Sequence, residues 1–444
     1  MKMGMNKNIR RREFLRTMSV VGGSFGLPAW LCANPETSKR PNVIVLISDD
    51  HSADCLGVLG HPQVKTPNLD KLAKQGMIFH NAYVFGSNQP SVCAPARTQI
   101  HSGKNLYHWR QKQPASGDPD NYCFGRAMRK AGYITFRSGK GVNVPSPLCA
   151  EFHRNIEKSG MKIETHVDNG IAFIREHAGK QLFFFYMAPR IPHSPYPTRE
   201  KFRRMYRPED IELPPTYMPR HPFFGPDGID DFKEGWPGEK TRQTLAKYYA
   251  SISHMDDQFG RLFATLKETG QYNNTIILFA GDNGYSIGDH GLGAKQDLYE
   301  FGGMHVPFLI AGPGIPQGRT KAFAYLMDIF PTICELTGTQ IPSSLDGKSL
   351  VPVIRGEKSR VRDYLFTAYK DSQRALRDTR WKIIHYPQIR KTQLFDLRDD
   401  PYEMNDLGEY PQHAERVDQK LRFLRKVQKE VGDTLPLKAG RSLE

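Results

Sequence analysis

The run Pro41-Asn-Val-Ile-Val-Leu-Ile-Ser48 is apolar and rich in β-branched residues, and Asp49 and Asp50 follow it directly. A continuous apolar run of this length is typical of a strand that is buried on both faces of a parallel sheet. Open α/β sheets bind their ligands beyond the carboxyl ends of the strands. We therefore expect the two carboxylates to lie at the ligand-binding edge of a parallel sheet.

The same pattern recurs along the chain. Further apolar runs of strand length lie at residues 132–136, 181–188, 275–280 and 306–311. Helical stretches separate several of them, and residues 242–269 carry apolar side chains at helical spacing. This alternation predicts an α/β fold with a large mixed, mostly parallel sheet sandwiched by helices. Residues 189–239 are rich in Pro, Tyr and Arg without periodicity, which predicts an irregular excursion over the site.

The sequence changes character from about residue 361. Short strands joined by turns are predicted at residues 364–369, 373–386 and 392–397, and a helix at residues 411–431. These elements indicate a smaller C-terminal antiparallel sheet with a terminal helix. We place the catalytic domain at residues 34–355 and the C-terminal subdomain at residues 356–444.

The N-terminus predicts export. Arg11-Arg12-Glu13-Phe14-Leu15 precedes a largely uncharged stretch, which is typical of a signal peptide over residues 1–33 rather than a membrane span. The motif resembles the twin-arginine signal, so we expect the twin-arginine export machinery as a partner and a periplasmic or extracellular protein without a transmembrane segment in the mature chain. The alternative is a basic amphipathic tail. Cys32 lies in a cleavage site or a poor lipobox, and Trp30 and Leu31 before it argue against lipid anchoring.

Charge and cysteine content narrow the function classes. The formal net charge is +15, of which the first 33 residues contribute +5. The remaining excess suits an anionic partner, but the basic residues are dispersed rather than clustered with aromatic residues, so no nucleic-acid partner is expected. The six cysteines form no CxxC pair, so neither a disulfide framework nor a structural zinc site is indicated, although single pairs remain open in an exported protein.

One cysteine stands in a reactive context. In Ser91-Val-Cys93-Ala-Pro95-Ala-Arg97 a proline follows Cys93 by two residues and an arginine follows by four, with Gly103-Lys104 closing the segment. We expect the nearby cation to favour an anion at the sulfur of Cys93 or at whatever group replaces it. A buried cysteine before a helix is the equally compatible alternative.

Other polar residues follow the predicted strands. Carboxylate and amide oxygens of Asp49, Asp50, Asp282 and Asn283 form a hard oxygen set, which Ca²⁺ and Mg²⁺ prefer. Taken singly, Asp-Asn-Gly is a common turn sequence, Asp-Asp can cap a helix, and Lys140, His193 and Lys295 are ordinary surface residues. Together with Cys93, these residues supply a site for a divalent cation, a potential nucleophile and several positive charges. That combination favours transfer of a small tetrahedral oxyanion such as sulfate or phosphate.

These motifs resemble, in order and spacing, the type I formylglycine-dependent sulfatases of the alkaline phosphatase-like superfamily, and the resemblance covers residues 41–400. The motifs that carry it are Cys93-x-Pro95-x-Arg97 with Gly103-Lys104, Asp49-Asp50, Thr66-Pro67-Asn68-Leu69-Asp70, Gly139-Lys140, Pro192-His193 and Asp282-Asn283-Gly284. His305-Val306-Pro307 and residues 288–295 are similar to iduronate-2-sulfatase and its bacterial relatives.

The resemblance implies a modified cysteine. Cys93 would be converted to Cα-formylglycine by a formylglycine-generating or anaerobic sulfatase-maturating enzyme, and its hydrated aldehyde would attack the ester sulfur. The implied ligands of Ca²⁺, or of Mg²⁺, are Asp49, Asp50, the modified Cys93, Asp282 and Asn283. The implied contacts are Arg97 and Lys104 to the formylglycine and Lys140, His193, His290 and Lys295 to the substrate, with His193 or Lys295 protonating the leaving oxygen.

The sequence departs from the family pattern at two positions. Members usually carry a histidine two or three residues after the lysine matched to Lys140, where this chain has Val142 and Asn143. Either another group such as His51 or His290 serves, or turnover is slowed. His305 stands where many members have arginine.

We therefore expect an exported bacterial sulfatase that hydrolyses sulfate monoesters, on a sulfated carbohydrate rather than on a small aryl ester. A phosphomonoesterase or phosphodiesterase on the same scaffold is the alternative enzyme. A catalytically silent protein that binds sulfated glycans is the alternative outside enzymes, motivated by the missing histidine.

Overall fold

A computed structural model of the protein describes residues 40–109, 123–140, 144–158, 160–225, 228–229, 232 and 235–437. The predicted signal peptide, Cys32, Val142 and Asn143 lie outside the described residues. Among the helices that are described, none combines the length and apolar character that a membrane span requires.

The strands and helices of the described residues alternate along the chain. The strands are β1 (Asn42–Ser48), β2 (Gly76–Tyr83), β3 (Gly86–Ser87), β4 (Ile134–Gly139), β5 (Arg154–Glu157), β6 (Phe183–Ala188), β7 (Thr275–Gly281), β8 (Ser286–Ile287), β9 (Gly293–Ala294), β10 (His305–Val306), β11 (Phe308–Ala311), β12 (Gly318–Tyr325), β13 (Leu365–Tyr369), β14 (Gln373–Arg377), β15 (Trp381–Tyr386) and β16 (Lys391–Asp396). The helices are α1 (Pro67–Ala73), α2 (Cys93–Ser102), α3 (Phe124–Lys130), α4 (Ser146–Cys149), α5 (Ile163–His177), α6 (Glu200–Arg203), α7 (Gly238–Glu268), α8 (Ile329–Leu336), α9 (Val351–Ile354) and α10 (Ala414–Val431).

The large sheet has nine strands in the order β10-β2-β11-β7-β1-β6-β4-β5, with β12 beside β2. β1 lies between β6 and β7 and runs parallel to both, and β4 continues the parallel set from β6 to β5. β11 is antiparallel to β7 and β2, and β10 is antiparallel to β2. The predicted mixed, mostly parallel sheet is confirmed.

The core lies on both faces of this sheet, as the sequence of β1 dictates. Successive side chains of a strand point to opposite faces, so Val43 and Val45 pack into one apolar cluster while Ile44 and Leu46 pack into another. Helices α1, α5 and α7 cover the second cluster, and α2, α3 and α8 cover the first. An apolar run without alternation is therefore buried between two helical layers.

The smaller sheet follows the order β16-β15-β14-β13-β3. Its four C-terminal strands are antiparallel, and α10 packs on them through Leu421 and Leu424. The fifth strand, β3, comes from the N-terminal half of the chain and pairs in parallel with β13. Both sheets belong to one compact unit that begins at Arg40. The boundary placed between residues 355 and 356 stays a prediction.

Two predicted strands are each split in the structure, and two observed strands were not predicted. The run at residues 306–311 is interrupted by Pro307, which has no N–H for a ladder hydrogen bond, so β10 and β11 are separate. The run at residues 373–386 is split into β14 and β15 by a turn in which Asp378 Oδ1 accepts hydrogen bonds from the backbone of Arg380 and Trp381. Strands β2 and β12 escaped prediction because polar side chains interrupt their apolar pattern.

Candidate active site

Parallel neighbours of the large sheet end at one edge, and polar side chains follow each of them. Asp49 and Asp50 follow β1, Lys140 follows β4, His193 follows β6, and Asp282 and Asn283 follow β7. The backbone amide of Asp282 donates to the carbonyl of Ser48 at 2.9 Å, which extends the pairing of β1 and β7 past their ends. The predicted convergence of these residues at one sheet edge is thus observed.

Two backbone features shape this edge. Asp50 has a φ of 62°, a left-handed conformation that aspartate tolerates better than most residues, and its amide donates to Asp282 Oδ1 at 3.1 Å. In the turn after β7, a Cβ at Gly284 would lie 2.0 Å from the carbonyl oxygen of Gly302, so the close approach of the two backbones requires glycine. Asn283 is thereby held against Asp50, to whose Oδ1 its side-chain amide donates at 2.8 Å.

Cys93 is the first residue of α2 and points at these carboxylates. Its thiol lies 3.0 Å from Asp49 Oδ1 and 3.4 Å from Asp50 Oδ1. The amine of Lys295 donates to the sulfur at 2.7 Å. Only 1% of Cys93 is exposed to solvent. The structure therefore favours a residue held inside the polar cluster over an inert thiol in an apolar core.

The expected stabilisation of a thiolate at Cys93 is wrong. Burial raises the pKa of Cys93 well above its ordinary value, and the charges of Asp282, Asp49 and Asp50 raise it further, against a smaller opposing effect of Lys295. Three carboxylates close to the sulfur outweigh the single amine that touches it.

Arg97 lies one helical turn after Cys93 and is fully buried. Its Nε donates to Asp282 Oδ2 at 2.8 Å, and a terminal nitrogen lies 3.4 Å from Asp49 Oδ2. Burial would raise the pKa of Asp49, but the positive charges of Arg97 and Lys140 hold it well below its ordinary value. Arg97 therefore fixes the carboxylates of two strand ends, whereas the direct cationic contact to Cys93 comes from Lys295.

The two lysines that were predicted to bind the substrate both reach the cluster. Lys140 Nζ donates to Asp49 Oδ2 at 2.7 Å, and Lys295 Nζ donates to Asp50 Oδ1 at 2.5 Å. Burial acts to lower the pKa of Lys295, but the charges of Asp50 and Asp49 raise it overall, so the amine stays charged. Two ammonium groups thus stand beside Cys93.

His193 closes the cluster from the loop after β6. Its Nε2 lies 3.6 Å from Asp50 Oδ2, and its Nδ1 lies 2.7 Å from the carbonyl oxygen of Ser194. Because a carbonyl only accepts, Nδ1 carries a proton and Nε2 is the nitrogen that gains or loses one on the side of Asp50. Burial lowers the pKa of His193, opposed by Asp50. His193 is therefore placed to transfer a proton at the site.

The cluster fits a hard divalent cation. Ligand atoms of Asp49, Asp50, Cys93 and His193 lie within 4.8 Å of one another. Asn283 Oδ1 is buried and has no hydrogen-bond partner among the described residues, which leaves an oxygen facing the carboxylates unsatisfied. Burial and the charge of Asp49 raise the pKa of Asp282 to about 7, so this part of the cluster is short of positive charge. These oxygens suit Ca²⁺ better than a soft metal.

Three other predicted residues are not brought to Cys93. Lys104 follows the far end of α2, about 15 Å along the helix, and its amine makes no hydrogen bond or ion pair with any described residue. His290 stacks on Tyr299 at 3.9 Å and lines a different cavity. Both ring nitrogens of His51 are engaged, by Ser48 Oγ and by the carbonyl of Cys55, each at 3.0 Å. Neither histidine forms a hydrogen bond or an ion pair with Cys93 among the described residues, and the role suggested for them stays a prediction.

A pair of tyrosines at the site was not anticipated. Tyr196 follows His193 in the same turn, and its hydroxyl donates to the hydroxyl of Tyr285 at 3.4 Å. Tyr285 follows Gly284 and lies close enough to Asp50 and Lys295 for their charges to act on it. Burial raises the pKa of Tyr285, so its hydroxyl keeps a proton to donate. Tyr196 and Tyr285 each follow closely after a motif that was predicted to lie at the site, Pro192-His193 and Asp282-Asn283-Gly284. This proximity in the sequence was the signal that could have identified the two tyrosines.

Comparison with known protein families identifies two matches. The family model described as "Sulfatase" matches residues 41–339. The model described as "N-sulphoglucosamine sulphohydrolase, C-terminal" matches residues 288–430. The two matches together span both sheets.

Curated proteins and solved structures resemble the whole described fold. An arylsulfatase of Clostridium perfringens is 29% identical, with 87% of this chain and 93% of the relative covered. An N-acetylglucosamine-6-O-sulfatase of Bacteroides thetaiotaomicron is 24% identical, with 91% and 89% covered. The structure of BT4656 in complex with its substrate D-glucosamine-2-N,6-O-disulfate superposes with a TM-score of 0.75 at 21% identity, covering 91% of this chain and 100% of that one. A phosphonate monoester hydrolase of Agrobacterium radiobacter gives a TM-score of 0.72 at 23% identity, covering 88% and 96%.

Proposed function

The chain belongs to the sulfatase family and is a sulfuric ester hydrolase, and from this premise we propose that it hydrolyses sulfate monoesters of carbohydrates with a Cα-formylglycine made from Cys93 and a bound Ca²⁺. The observation that carries the proposal is the setting of Cys93. Its sulfur lies 3.0 Å from Asp49 Oδ1, 3.4 Å from Asp50 Oδ1 and 2.7 Å from the amine of Lys295. A hydrated formylglycine at this position would place an oxygen nucleophile beside the proposed metal ligands and an ammonium group.

The oxygen donors around Cys93 support the calcium part of the proposal. Asp49, Asp50, Asp282 and the unsatisfied Oδ1 of Asn283 would hold the ion together with the modified side chain of Cys93. The ion, when bound, supplies positive charge that stabilises oxyanions at the reacting centre. Arg97 keeps the carboxylates of Asp49 and Asp282 in place for it.

The remaining polar groups would bind the sulfate oxygens and protonate the leaving oxygen of the ester. Lys140 and Lys295 provide ammonium donors for the sulfate oxygens, which carry the charge that develops as the ester bond breaks. The Nε2 of His193 delivers a proton to the leaving oxygen, since Nδ1 is committed to the carbonyl of Ser194. The hydroxyl of Tyr285 adds a neutral donor at the same place.

A carbohydrate substrate is supported by the relatives and by charge. One relative is named N-acetylglucosamine-6-O-sulfatase. Of the formal net charge of +15, +10 remains beyond residue 33, which favours a polyanionic substrate. Export through the twin-arginine route belongs to the same proposal. A protein that is folded before export can receive its modification in the cytoplasm.

The test begins with the state of residue 93. Protein is produced together with a formylglycine-generating enzyme, and the peptide that contains Cys93 is measured by mass spectrometry, where conversion lowers its mass by about 18 Da. Converted protein is then assayed for sulfate release from N-acetylglucosamine 6-sulfate and from p-nitrophenyl sulfate, and for phosphate release from p-nitrophenyl phosphate. The variant Cys93→Ala provides the background.

Each outcome has a defined meaning. Sulfate release that requires conversion and is faster on the sugar ester supports the proposal. Full activity of unconverted protein would overturn the formylglycine assignment, and preference for the phosphate ester would replace the function by that of a phosphoesterase. Tight binding of the sulfated sugar without turnover by converted protein would indicate a glycan-binding protein instead.

A further inference from the structure

A second cavity lies beside β16 and is separate from the site around Cys93. We call it the β16 cavity. It encloses about 390 Å³ and is lined by residues of the excursion after β6, the turn between β8 and β9, the segment after β9, β16 and the segment after β16, including His290, Tyr299 and Gln393. None of the residues that surround Cys93 lines it. Its volume lies within the range of about 300–1,000 Å³ that small-molecule sites occupy.

One side chain of the β16 cavity lacks a partner. His290 is 2% exposed, and its Nε2 has no hydrogen-bond partner among the described residues. The ring is fixed by stacking on Tyr299, with centroids 3.9 Å apart and planes 15° from parallel. A buried imidazole nitrogen without a partner is costly, because it has lost its hydrogen bonds to water. The ring of His290, which lines the cavity, therefore has hydrogen-bonding capacity that no described residue uses.

The neighbouring polar groups of the cavity are already engaged with one another. His221 Nδ1 accepts from the amide of Phe223 at 3.0 Å, so its Nε2 carries the proton and donates to the hydroxyl of Tyr299 at 2.9 Å. Tyr299 in turn donates to Gln393 Oε1 at 2.7 Å. None of these three hydrogen-bonded side chains donates to or accepts from His290. His290 is therefore the residue of this group that we consider for ligand binding.

The charges of the β16 cavity exclude an anion. The carboxylates of Glu403, Asp406 and Glu409 line it against one lysine, Lys391, which is paired with Glu409 at 2.5 Å. Burial raises the pKa of Glu403 to about 7 even though Lys382 forms an ion pair with it at 2.9 Å, so further negative charge is disfavoured there. A sulfated or phosphorylated group would meet repulsion. This lining is the opposite of the lysine-rich surroundings of Cys93.

Aromatic rings complete the walls, contributed by Phe223, Tyr299, Phe395 and Tyr410. Flat apolar rings beside a few hydrogen-bonding groups suit a ligand with one apolar face and hydroxyl groups at its edge. We propose that the β16 cavity binds a neutral, polyhydroxylated ring, an unsulfated monosaccharide unit, through a hydrogen bond between His290 and one hydroxyl group. A hydroxyl both donates and accepts, so it satisfies either tautomer of a neutral imidazole.

The test uses the full-length protein and soluble probes. Calorimetric titrations with glucose, galactose and N-acetylglucosamine are compared with titrations of glucose 6-sulfate and of choline. We expect the neutral sugars to bind, with at least a tenfold loss of affinity in His290→Phe, which keeps a stacking ring but removes the nitrogens. His254→Phe is the matched control, since His254 is also buried but lines a different cavity, and its affinity for the sugars should stay within twofold of wild type.

A second measurement guards against a variant that fails to fold. In wild-type protein, the imidazole nitrogen resonances of His290 should shift on addition of a neutral sugar while those of His254 do not. Absence of binding by all three sugars, equal binding by wild type and His290→Phe, or preferential binding of glucose 6-sulfate or choline would each overturn the proposal. The titrations do not depend on residue 93 being converted, so a failure here is distinct from a failure of the proposed sulfatase chemistry.

Discussion

The amine of Lys295 lies 2.7 Å from the sulfur of Cys93. The two residues are about 200 positions apart in the sequence, and Lys295 reaches the site from the segment just after β9. The same amine contacts Asp50 at 2.5 Å, so it joins the residue that we propose as nucleophile to a proposed metal ligand. This position makes Lys295 the most informative single residue to change.

Replacing Lys295 with methionine should lower kcat for sulfate release by about 10²–10³, the usual effect of losing one donor to a developing oxyanion. KM should change less, because the interaction strengthens as charge develops. Steady-state kinetics on the sugar sulfate measure both. Lys104→Met is the matched control, since Lys104 lies beyond the far end of α2. Equal losses in the two variants would contradict the assignment.

Removing divalent cations should abolish activity and lower the melting temperature. An ion that binds only the folded site stabilises the folded state by mass action, and this is the effect expected of the proposed Ca²⁺. Calcium should restore both properties after treatment with EDTA. In Asn283→Ala, which loses the unsatisfied buried oxygen, the calcium concentration that gives half of the stabilisation should rise by about tenfold or more. An unchanged calcium dependence in this variant would remove Asn283 from the ligand set.

The Tyr285→Phe variant should lose about tenfold in kcat, which corresponds to one hydrogen bond of about 1.4 kcal/mol. Tyr196→Phe should have a smaller effect, because Tyr196 only orients the hydroxyl of Tyr285. Comparing kcat and KM in the two single variants and the double variant separates the roles. Full activity of Tyr285→Phe would show that this hydroxyl does not touch the reacting groups.

Acid should destabilise the C-terminal sheet through His385. Burial, with the charges of Arg425 and Arg374, lowers the pKa of His385 to about 4. The unfolded chain binds this proton near pH 6.5, so the stabilisation is complete above pH 6.5 and is lost as the pH falls towards 4, by about 1.4 kcal/mol for each pH unit.

Urea unfolding at several pH values checks this expectation. The free energy of unfolding of His385→Gln should fall less steeply between pH 6.5 and 4 than that of wild type. His108→Gln, at an exposed histidine, is the control. Parallel curves for wild type and His385→Gln would contradict the prediction.

Export should depend on the arginine pair near the N-terminus. Changing Arg11 and Arg12 together to lysine should retain the protein in the cytoplasm, because the twin-arginine route reads that pair. Cell fractionation followed by immunoblotting measures the distribution. The control changes Arg10 and Arg16 to lysine instead, and similar retention in both double variants would count against this route.

The fold was predictable where a buried segment has a clear apolar pattern in the sequence. β1 is apolar at successive positions because both of its faces are covered, and the carboxylates after it could be placed at the sheet edge from strand direction alone. β12 was missed because it pairs only with β2 and alternates exposed charges such as Arg319 and Lys321 with other residues. Edge strands carry a weaker pattern.

The site was predictable in its members but not in its balance of charge. The residues after β1, β4, β6 and β7 could be named from the sequence, yet the pKa of Cys93 depends on how many carboxylates approach the sulfur, which no linear spacing reveals. The hydroxyl contact of Tyr196 with Tyr285 joins two loops that are about 90 residues apart. Contacts between loops of this kind come from the tertiary fold.

The parallel pairing of β3 with β13 can form only after the C-terminal strands have been synthesised. Gly86 lies seven residues before Cys93, and its partner Ala368 is about 280 residues further along the chain. A ribosome that adds 5–20 residues per second needs about 15–60 s to supply that partner. During this interval the segment that leads to Cys93 lacks its neighbouring strand, and afterwards Cys93 is 1% exposed. The modification that we propose for Cys93 would therefore precede the pairing of β3 with β13.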